Sequence, residues 1–299
     1  MTQAAAAEPL AERPAVVEES FGARFARFLG RTPVTIFLVF VGILWLVPTV
    51  GLFMTSLLKP ENTLSDGWWK IFSTPSLGTF DNYRAIFDNA TIMRSLWITV
   101  IIAVGGTVLP ILVAAFAGYA FAWLEFPGRD WFFILVVALL VVPIQMALIP
   151  IFTIYNTFGL YDTVLGLILF HTAFGLPFAI FLLRNFFIGI PKDIMESARI
   201  DGASEFRIFT RLILPLGLPA IASLAIFQFL WTWNDLLVAL VFTRNNQPIT
   251  VAIFSQLRQF GANIELIAPA TFVSLAIPLA VFFAFQRYFV QGLLAGSVK

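Results

Sequence analysis

The chain has 299 residues, of which 60% are hydrophobic and only 12% charged, and its formal net charge is +1. Soluble domains average about 45–50% apolar and about 25% charged residues, so this composition is that of an integral membrane protein. The small net charge gives no electrostatic basis for binding nucleic acid. The absence of cysteine excludes disulfides, thiolate metal sites and cysteine nucleophiles, and a single histidine, His171, excludes a multi-histidine metal site.

The N-terminal region changes character at about residue 20. Residues 1–20 are rich in Ala, Pro and Glu and lack an early basic cluster, which predicts a disordered tail rather than a secretory signal. In the FGARFARFLGR that follows, apolar residues fall on one helical face and arginines on the other, the pattern of a short helix lying in the membrane surface. A frayed basic anchor that only sets orientation explains the same residues.

Six windows free of Asp, Glu, Lys and Arg are long enough to cross a bilayer, since a hydrocarbon core of roughly 30 Å needs about 20 apolar residues in a helix. They are 34–57, 95–124, 131–154, 163–183, 212–234 and 266–286. Backbone in lipid must satisfy its own hydrogen bonds, and the windows lack strand alternation, so we predict six transmembrane helices. Prolines within the windows are expected to kink or break their helices: Pro48, Pro110, Pro143, Pro150, Pro177, Pro219 and Pro278.

Six spans place both termini on the same side of the membrane. That side carries twelve of the 18 Lys and Arg residues, and the opposite side carries six. Because cytoplasmic segments carry an excess of basic residues, both termini are predicted to be cytoplasmic. The segment between the fourth and fifth spans is then cytoplasmic as well, and the two longest outer segments are 58–94 and about 236–265.

Within the second predicted span, Ala114, Gly118 and Ala122 recur every four residues. Small side chains along one stripe of a helix allow another helix to approach closely. The approaching helix belongs either to this chain or to a second subunit, and the spacing does not separate these two alternatives.

The sequence lacks catalytic and energy-converting motifs. It contains no Gly-Lys dipeptide, which a phosphate-binding P-loop requires, and no G-x-G for a dinucleotide fold. The acidic residues lie outside the spans, so a carboxylate pair for ion coupling is not expected. We therefore predict that the chain is not an enzyme, binds no cofactor or metal itself, and depends on another protein for any uphill transport.

The segment between the fourth and fifth spans concentrates charge. Eight of the twenty residues from Lys192 to Arg211 are charged. Pro191 suits the opening of a helix, Gly202 the left-handed position that ends one, and Ser204 the cap of a second. The predicted structure is a helix, a sharp turn and a helix, with apolar surface from Ile194, Met195, Ala198, Phe206 and Phe209. A solvated connector is one explanation, but a docking surface for a cytoplasmic partner better explains two phenylalanines beside so many charges.

A longer pattern runs through the same segment. Glu196-Ser197-Ala198 is followed by three residues, Gly202, nine residues and Leu212-Ile213-Leu214-Pro215. This resembles the EAA motif of permease subunits of binding-protein-dependent ABC importers, roughly E-A-A-x3-G-x9-I-x-L-P, from which Ser197 and Leu212 are mild departures. From about residue 34 the chain is similar to MalG-type sugar permeases through FDNYRAIF, WTWNDLLVALVF and FVQGLLAGSVK. HTAFGLPFAIFLLRNFF and ESARIDGAS resemble the α-glucoside branch of that group.

The resemblance implies an all-α membrane protein with the type I ABC importer permease (MetI-like) fold of six transmembrane helices. Its implied partners are a second, MalF-like permease subunit, two ATP-binding subunits that hold ATP and magnesium, an extracytoplasmic sugar-binding protein and the lipid bilayer. Residues 190–212 would form the coupling loop that contacts the ATPase, and residues 292–299 would approach it. The implied coupling residues are Glu196, Ser197, Ala198, Asp201, Gly202 and Phe206, with Leu214 and Pro215 leading into the fifth span.

Aromatic and polar side chains cluster late in the fifth span: Phe227, Gln228, Trp231, Trp233, Asn234 and Asp235. Aromatic rings stack on sugar rings, and amide or carboxylate groups bond hydroxyls, so these residues and His171 are candidates for a substrate pathway. An interfacial tryptophan belt, and a structural hydrogen bond at His171, explain the same residues. The outer segment, with Gln256, Arg258 and Gln259, is expected to reach toward the binding protein.

We predict three segments: a cytoplasmic N-terminal tail (1–32), a permease domain (33–290) and a cytoplasmic C-terminal tail (291–299). The function that the sequence favours is a permease subunit of a sugar importer in the bacterial cytoplasmic (inner) membrane. A self-contained secondary carrier would need intramembrane charges and inverted repeats. A membrane enzyme would need a nucleophile, a metal set or a carboxylate pair. The sequence shows none of these features.

Overall fold

The computed structural model describes residues 21–63, 65–257 and 264–295, with side chains described between 33 and 286 of these ranges. Helices dominate, as predicted, and residues 1–20 and 296–299 of the two predicted tails (1–32 and 291–299) lie outside the described residues. The helices are α1 (Phe21–Ser56), α2 (Asp81–Asp88), α3 (Ala90–Trp123), α4 (Arg129–Ala138), α5 (Ile144–Thr157), α6 (Val164–Ile188), α7 (Lys192–Ile200), α8 (Glu205–Ile208), α9 (Leu214–Trp233), α10 (Leu237–Phe242), α11 (Ile249–Leu257) and α12 (Ile264–Ala295). A π-helical segment, Phe209–Ile213, joins α8 to α9.

The chain divides into two compact units, Met1–Gly51 and Leu52–Lys299. The first contains most of α1, and the second contains α2 to α12. The boundaries placed at residues 32 and 290 from the sequence remain predictions.

Five helical stretches of the described chain are each long and apolar enough to cross a membrane: Pro33–Ser56, Ala90–Trp123, Val164–Ile188, Glu205–Trp233 and Ile264–Gln286. They correspond to five of the six predicted windows. The third window, 131–154, is not one straight helix, because Arg129–Val141 and Ile144–Thr157 meet at 101°. Pro143 lacks an N–H and favours an extended residue before it, and Val142 has φ −68° and ψ 114°. The expected break is therefore confirmed at Pro143, whereas the other six prolines lie inside continuous helices.

α3 and α6 lie side by side and run in the same direction. Near the middle of α3, a Cβ added to Gly106 would lie only 3.1 Å from the Cβ of His171. Where both helices end, the indole Nε1 of Trp123 donates to the carbonyl of Phe187 at 3.1 Å. The two helices are therefore parallel. The connection between them, residues 124–163, must run back from the end of α3 to the start of α6. α4 and α5 together make that return, so the broken helix accounts for the predicted third crossing.

The small-residue stripe of α3 is used inside the chain. Ala114 is fully buried, and Ala122 packs against the same core. A Cβ added to Gly118 would lie 3.1 Å from the backbone N of Arg184 and 3.2 Å from the Cβ of Leu183. A larger side chain would push α6 away. Of the two alternatives that the spacing left open, packing within the chain explains the stripe.

α9 packs against both of these helices in the opposite direction. Just before it begins, the ring of Phe209 lies 5.2 Å from the ring of Tyr119, near the end of α3. In the last turn of α9, the methyl group of Thr232 would lie 3.1 Å from a Cβ added to Gly106. The indole of Trp233 donates to the carbonyl of Ser274 in α12 at 3.2 Å. α3, α6 and α9 thus form a central group of three helices, and α12 packs against α9.

These helix directions define two ends of the second unit. The loop end carries residues 124–128 and 189–204, which follow α3 and α6. The far end carries residues 158–163 and 234–248, which precede α6 and follow α9. Which end faces the cytoplasm remains a prediction from the distribution of basic residues.

Replacing Gly118 by leucine is expected to destabilise the fold by about 1–3 kcal/mol, because overpacking forces α3 and α6 apart. Val113→Leu adds bulk on an exposed face of the same helix and serves as the control. Thermal unfolding of the two purified variants in the same detergent gives the comparison. If both variants unfolded at the same temperature as the unsubstituted chain, the close approach of α3 and α6 at Gly118 would be contradicted.

Candidate functional site

The segment between α6 and α9 folds as the predicted helix, sharp turn and helix. α7 ends in a Schellman motif, in which the N–H of Gly202 donates to the carbonyl of Arg199 and the N–H of Ala203 to that of Ala198, both at 3.0 Å. Gly202 has a φ of +77°, which glycine adopts without a steric penalty. Ser204 then caps α8 through its hydroxyl oxygen. Two hydrogen bonds and a cap therefore fix the angle between α7 and α8.

The outward surface of this 190–212 loop mixes charge with exposed apolar side chains. Glu196 and Asp201 are exposed, and Ile200 and Phe206 are 85% and 67% exposed. A Cβ added to Gly202 would meet nothing within 4 Å, so the space beside the turn is open. Bulky apolar groups exposed beside charges are typical of a docking surface. The sequence reading missed Ile200, although its place directly before the Asp201-Gly202 turn was a usable signal.

Two residues predicted to contribute to that surface point inward instead. Met195 is fully buried and Phe209 is nearly so. The ring of Phe209 lies 4.7 Å from that of Phe116 and 5.2 Å from that of Tyr119. The prediction of exposed Met195 and Phe209 was wrong, because the inner face of the loop packs on the ends of α3 and α6. The sequence pattern identified both residues as apolar, but it did not show which face of the loop packs against α3 and α6.

The remaining predicted coupling residues lie on α7 and in the first turn of α9. The hydroxyl of Ser197 donates to the carbonyl of Asp193 at 2.8 Å, within its own helix. Ala198 is partly buried against the core. Leu214 and Pro215 occupy the first turn of α9, where the missing N–H of proline is tolerated, and both line an apolar groove of about 300 Å³ beside α3.

A polar network joins the loop to α3. The hydroxyl of Tyr119 donates to Oε2 of Glu205, and Nε of Arg199 donates to Oε1 of the same carboxylate at 2.9 Å. Arg199 also donates through Nη2 to the carbonyl of Trp123 at 3.4 Å. The hydrogen bond to Glu205 raises the pKa of Arg199 above its ordinary value. The two charged side chains are 41% and 42% exposed, so water screens their attraction and the network contributes mainly orientation.

Three of the seven predicted pathway residues come together between α6 and α9, and a fourth, Phe227, lines a groove beside them. Nε2 of Gln228 donates to the carbonyl of Gly106 at 3.0 Å and to that of His171 at 3.3 Å. The rings of His171 and Trp231 meet edge to face with their centroids 5.1 Å apart. His171 is buried, and its Nδ1 has no hydrogen-bond partner within the part of the chain that the structure describes.

The other three predicted pathway residues have separate contacts. Trp233 is buried on the side of α9 that faces α12. Asn234 is exposed, and its amide donates to a carbonyl of α9. The carboxylate of Asp235 accepts N–H groups at the start of α10 at 3.1 and 3.0 Å. Its Oδ2 lies 3.6 Å from Nε2 of His171, which is too long for a hydrogen bond, so the structural bond suggested for His171 is not formed with this carboxylate.

An open groove of about 270 Å³ lies between α6 and α9 beside this cluster. It is lined by Phe174, Gly175, Phe178, Leu224, Phe227, Gln228 and Trp231. On each helix two aromatic residues are four positions apart, so each pair lies on one helix face. The sequence reading missed Phe174 and Phe178, because 34 phenylalanines are spread through this chain and helical spacing alone does not select two of them.

Asp162 organises the far end of the unit. It has a φ of +56°, and one carboxylate oxygen accepts the backbone N–H groups of Arg244, Asn245 and Asn246 at 2.9, 2.9 and 3.0 Å. Burial raises the pKa of Asp162, but these N–H bonds outweigh burial and lower the pKa below its ordinary value. The carboxylate therefore holds the segment that follows α10 against the connection between α5 and α6.

The predicted outer segment, 236–265, includes α10 and α11. Gln256 lines a cleft of about 190 Å³ together with the amides of Asn89 and Gln247. Arg258 and Gln259 lie outside the described residues. A role for this segment in contacting a binding protein remains a prediction.

Helices long and apolar enough to span a membrane, a hydrogen-bonded loop with an exposed apolar surface and an aromatic groove between two of the long helices fit the class of membrane transport proteins. Residues 106–294, well over half of the chain, match the family described as binding-protein-dependent transport system inner membrane component, and the chain belongs to that family. The resemblance to permease subunits is thereby confirmed. Family membership favours a permease subunit over a self-contained secondary carrier.

Curated relatives and a solved structure agree with this assignment. The chain is 47% identical to the osmoprotective compounds uptake permease protein GgtD of Synechocystis sp. over 282 residues. This alignment covers 92% of this chain and 95% of the relative. The chain is 52% identical over 235 residues to the alpha-glucoside transport system permease protein AglG of Rhizobium meliloti, covering 76% of this chain and 62% of that one. A chain from the crystal structure of a bacterial ABC transporter for import of the acidic polysaccharide alginate matches with a TM-score of 0.72 and 22% identity, over 91% of this chain and 99% of that one. The predicted fold is therefore confirmed.

Asp162→Ala is expected to release the segment that contains Arg244, Asn245 and Asn246, because three N–H groups lose their acceptor. Hydrogen exchange at these amides should become at least about tenfold faster, corresponding to the loss of charge-assisted hydrogen bonds. Since the pKa of Asp162 is lowered in the fold, the contact is complete above the ordinary carboxylate pKa and is lost as pH falls through the lowered one. Asp130→Ala, at the loop end, is the control, and unchanged exchange in Asp162→Ala would contradict the anchor.

Proposed function

We propose that this chain is the permease subunit of an ATP-driven sugar importer, forms half of the translocation pathway and receives mechanical work through the 190–212 loop. The observation that carries the proposal is the construction of that loop. Its turn is fixed by hydrogen bonds, its outer surface exposes Ile200 and Phe206, and its inner surface packs on the ends of α3 and α6. A family defined by binding-protein-dependent transport supports the proposal.

The substrate that we propose is a carbohydrate, an oligosaccharide or an α-glucoside. The relative AglG is named as an alpha-glucoside permease, and 76% of this chain aligns with it. The aromatic groove adds a chemical argument, because ring faces stack on the apolar faces of sugars. An extracytoplasmic binding protein would deliver the sugar to the far end.

Energy would come from two ATP-binding partner subunits, which hold the ATP and magnesium that this chain has no motif to bind. Driving a gate from about 1:99 to about 99:1 requires roughly 5.5 kcal/mol of differential interaction. Closure of the ATP-bound partners around Glu196, Ile200, Asp201 and Phe206 would supply it. A flexible loop would absorb this movement, whereas the hydrogen-bonded turn at Gly202 transmits it.

The loop end would face the cytoplasm together with both termini, since the topology predicted from the sequence puts twelve of the 18 basic residues on that side. The far end would then face the binding protein in the bacterial cytoplasmic membrane. There, the segment held by Asp162 offers a fixed surface that is already ordered before docking. A preordered surface loses less conformational entropy on binding.

The groove between α6 and α9 would form this subunit's wall of the pathway, opposite a second permease subunit. Trp231 and the phenylalanines line the groove. The amide orientation of Gln228 is set because its Nε2 donates to two carbonyls, and its Oε1 would be the atom left to accept a hydrogen bond from a sugar hydroxyl. His171 is buried behind Trp231, so its role would be to support that ring rather than to touch the sugar.

Gly202→Val tests the coupling role in the assembled importer, reconstituted in liposomes with its binding protein. A left-handed conformation costs a β-branched residue about 1–2 kcal/mol or more, so the turn changes angle. We expect normal membrane insertion and continued ATP hydrolysis, with sugar uptake reduced about tenfold.

Gly159→Val is the matched control. Gly159 also has a positive φ, +68°, and a Cβ there also meets nothing within 4 Å, but it lies at the far end. The ratio of sugar transported to ATP hydrolysed should stay normal in this variant. Normal uptake by Gly202→Val, or an equal loss of coupling in both variants, would overturn the coupling role.

Trp231→Ala tests the pathway in the same liposomes. Loss of one stacking ring should reduce the rate of α-glucoside uptake about three- to tenfold while the ratio of uptake to hydrolysis is retained. Trp97→Ala removes an exposed tryptophan of α3 that does not line the groove. A pathway that avoids the groove would give the same uptake rate in both variants.

A further inference from the structure

We infer that Tyr119, Glu205 and Arg199 are positioning residues that fix the 190–212 loop to α3, so that movement of the loop is passed to α3 and α6 as well as to α9. The inference rests on the proposed function, since it assigns the route by which the work received at the loop enters the spans. Tyr119 is buried beneath the loop, and Arg199 and Glu205, whose side chains are 41% and 42% exposed, are not among the residues proposed above to contact the ATPase.

The geometry places one carboxylate at the junction of three helices. Glu205 belongs to α8, and its two oxygens are engaged separately, one by the hydroxyl of Tyr119 on α3 and the other by Arg199 at the end of α7. Arg199 continues to α3 through the carbonyl of Trp123, four residues after Tyr119. α7 and α8 are therefore each bonded to the last two turns of α3.

Apolar packing and hydrogen bonds hold this junction in different ways. Met195, Ile208 and Phe209 bury their side chains against the bundle, but apolar contacts are non-directional. Hydrogen bonds to Glu205 restrict both distance and angle. The network therefore adds a directional constraint on the position of the loop along α3 to the burial of these side chains.

The connection from the loop to α9 is built differently. α8 passes into α9 through the π-helical segment Phe209–Ile213, whose bonding pattern departs from the α-helix on either side. Such segments are frequent at functional sites and mark places where a helix is locally irregular. On the other side, Trp123 bonds to Phe187, so movement given to the end of α3 reaches the end of α6 directly. The loop is thus joined to the α3–α6 pair by side-chain hydrogen bonds and to α9 by an irregular turn of helix.

The test uses Tyr119→Phe and Glu205→Gln in the assembled importer in liposomes. Both variants retain the size of the side chain and remove a hydrogen bond of the network. We expect ATP hydrolysis to continue while sugar transported per ATP falls about threefold or more. Sugar transported per ATP should fall no further in the double variant than in the more affected single variant, because both substitutions break the same network. A purely structural role would lower hydrolysis and uptake together and leave their ratio unchanged.

Tyr155→Phe is the matched control. The hydroxyl of Tyr155 is also buried and donates to the carbonyl of Gly166 at 2.9 Å, but this contact lies at the far end. Its removal should leave the transported sugar per ATP unchanged. Equal ratios in Tyr119→Phe, Glu205→Gln and the unsubstituted importer would overturn the inference.

A second measurement separates this inference from the proposed function. The chain contains no cysteine, so Lys192→Cys on α7 and Glu125→Cys just after α3 provide two exposed, unique sites for spin labels in the full chain in nanodiscs. The label-to-label distance distribution should be narrow and should broaden when Tyr119→Phe is added. A distribution that does not change would contradict the inference, even where ATP-driven sugar uptake is observed. If uptake by the importer fails but broadening occurs, the proposed function is contradicted and the positioning role stands.

Discussion

The parallel packing of α3 against α6 depends on glycine at the points of closest approach, because helix axes come this near only where no side chain intervenes. Gly106 faces His171, and Gly118 faces the backbone of Arg184. Since both helices run in the same direction, the chain between them must return along the pair, and Pro143 breaks that returning helix. The same packing brings the ends of α3 and α6 together, and these ends form the surface on which the 190–212 loop rests.

The loop meets opposite demands on its two faces. Its outer face must be open to a partner, and it exposes Ile200 and Phe206 among charges. Its inner face must not yield when the outer face is pushed, and it buries Met195 and Phe209 in the core of the bundle. A left-handed glycine at 202 separates the two helices without a side chain in the open space beside the turn. Whether a residue of this loop is exposed or buried therefore depends on the helix face that it occupies and not on its position along the chain.

The pathway residues show how helix geometry divides a cluster that looks continuous in sequence. Trp231 and Trp233 are two residues apart and therefore point about 200° apart on α9. Trp231 lines the groove with Phe174 and Phe178 of α6, whereas Trp233 is buried toward α12. Asp235 follows the end of the helix and caps α10. The groove thus combines one part of the predicted cluster with residues from another helix that the cluster did not include.

The sequence by itself determined the helical membrane class, the positions of the spans and the helix–glycine–helix form of the loop. These features depend on local properties, since a bilayer demands long apolar helices and a Schellman turn demands glycine. Only the tertiary structure decided the 101° bend, the inward direction of Met195 and Phe209, the lining of the groove and the bond between Tyr119 and Glu205, which are 86 residues apart. Each of these depends on which helix lies beside which, and a charge-free apolar window is compatible with many neighbours.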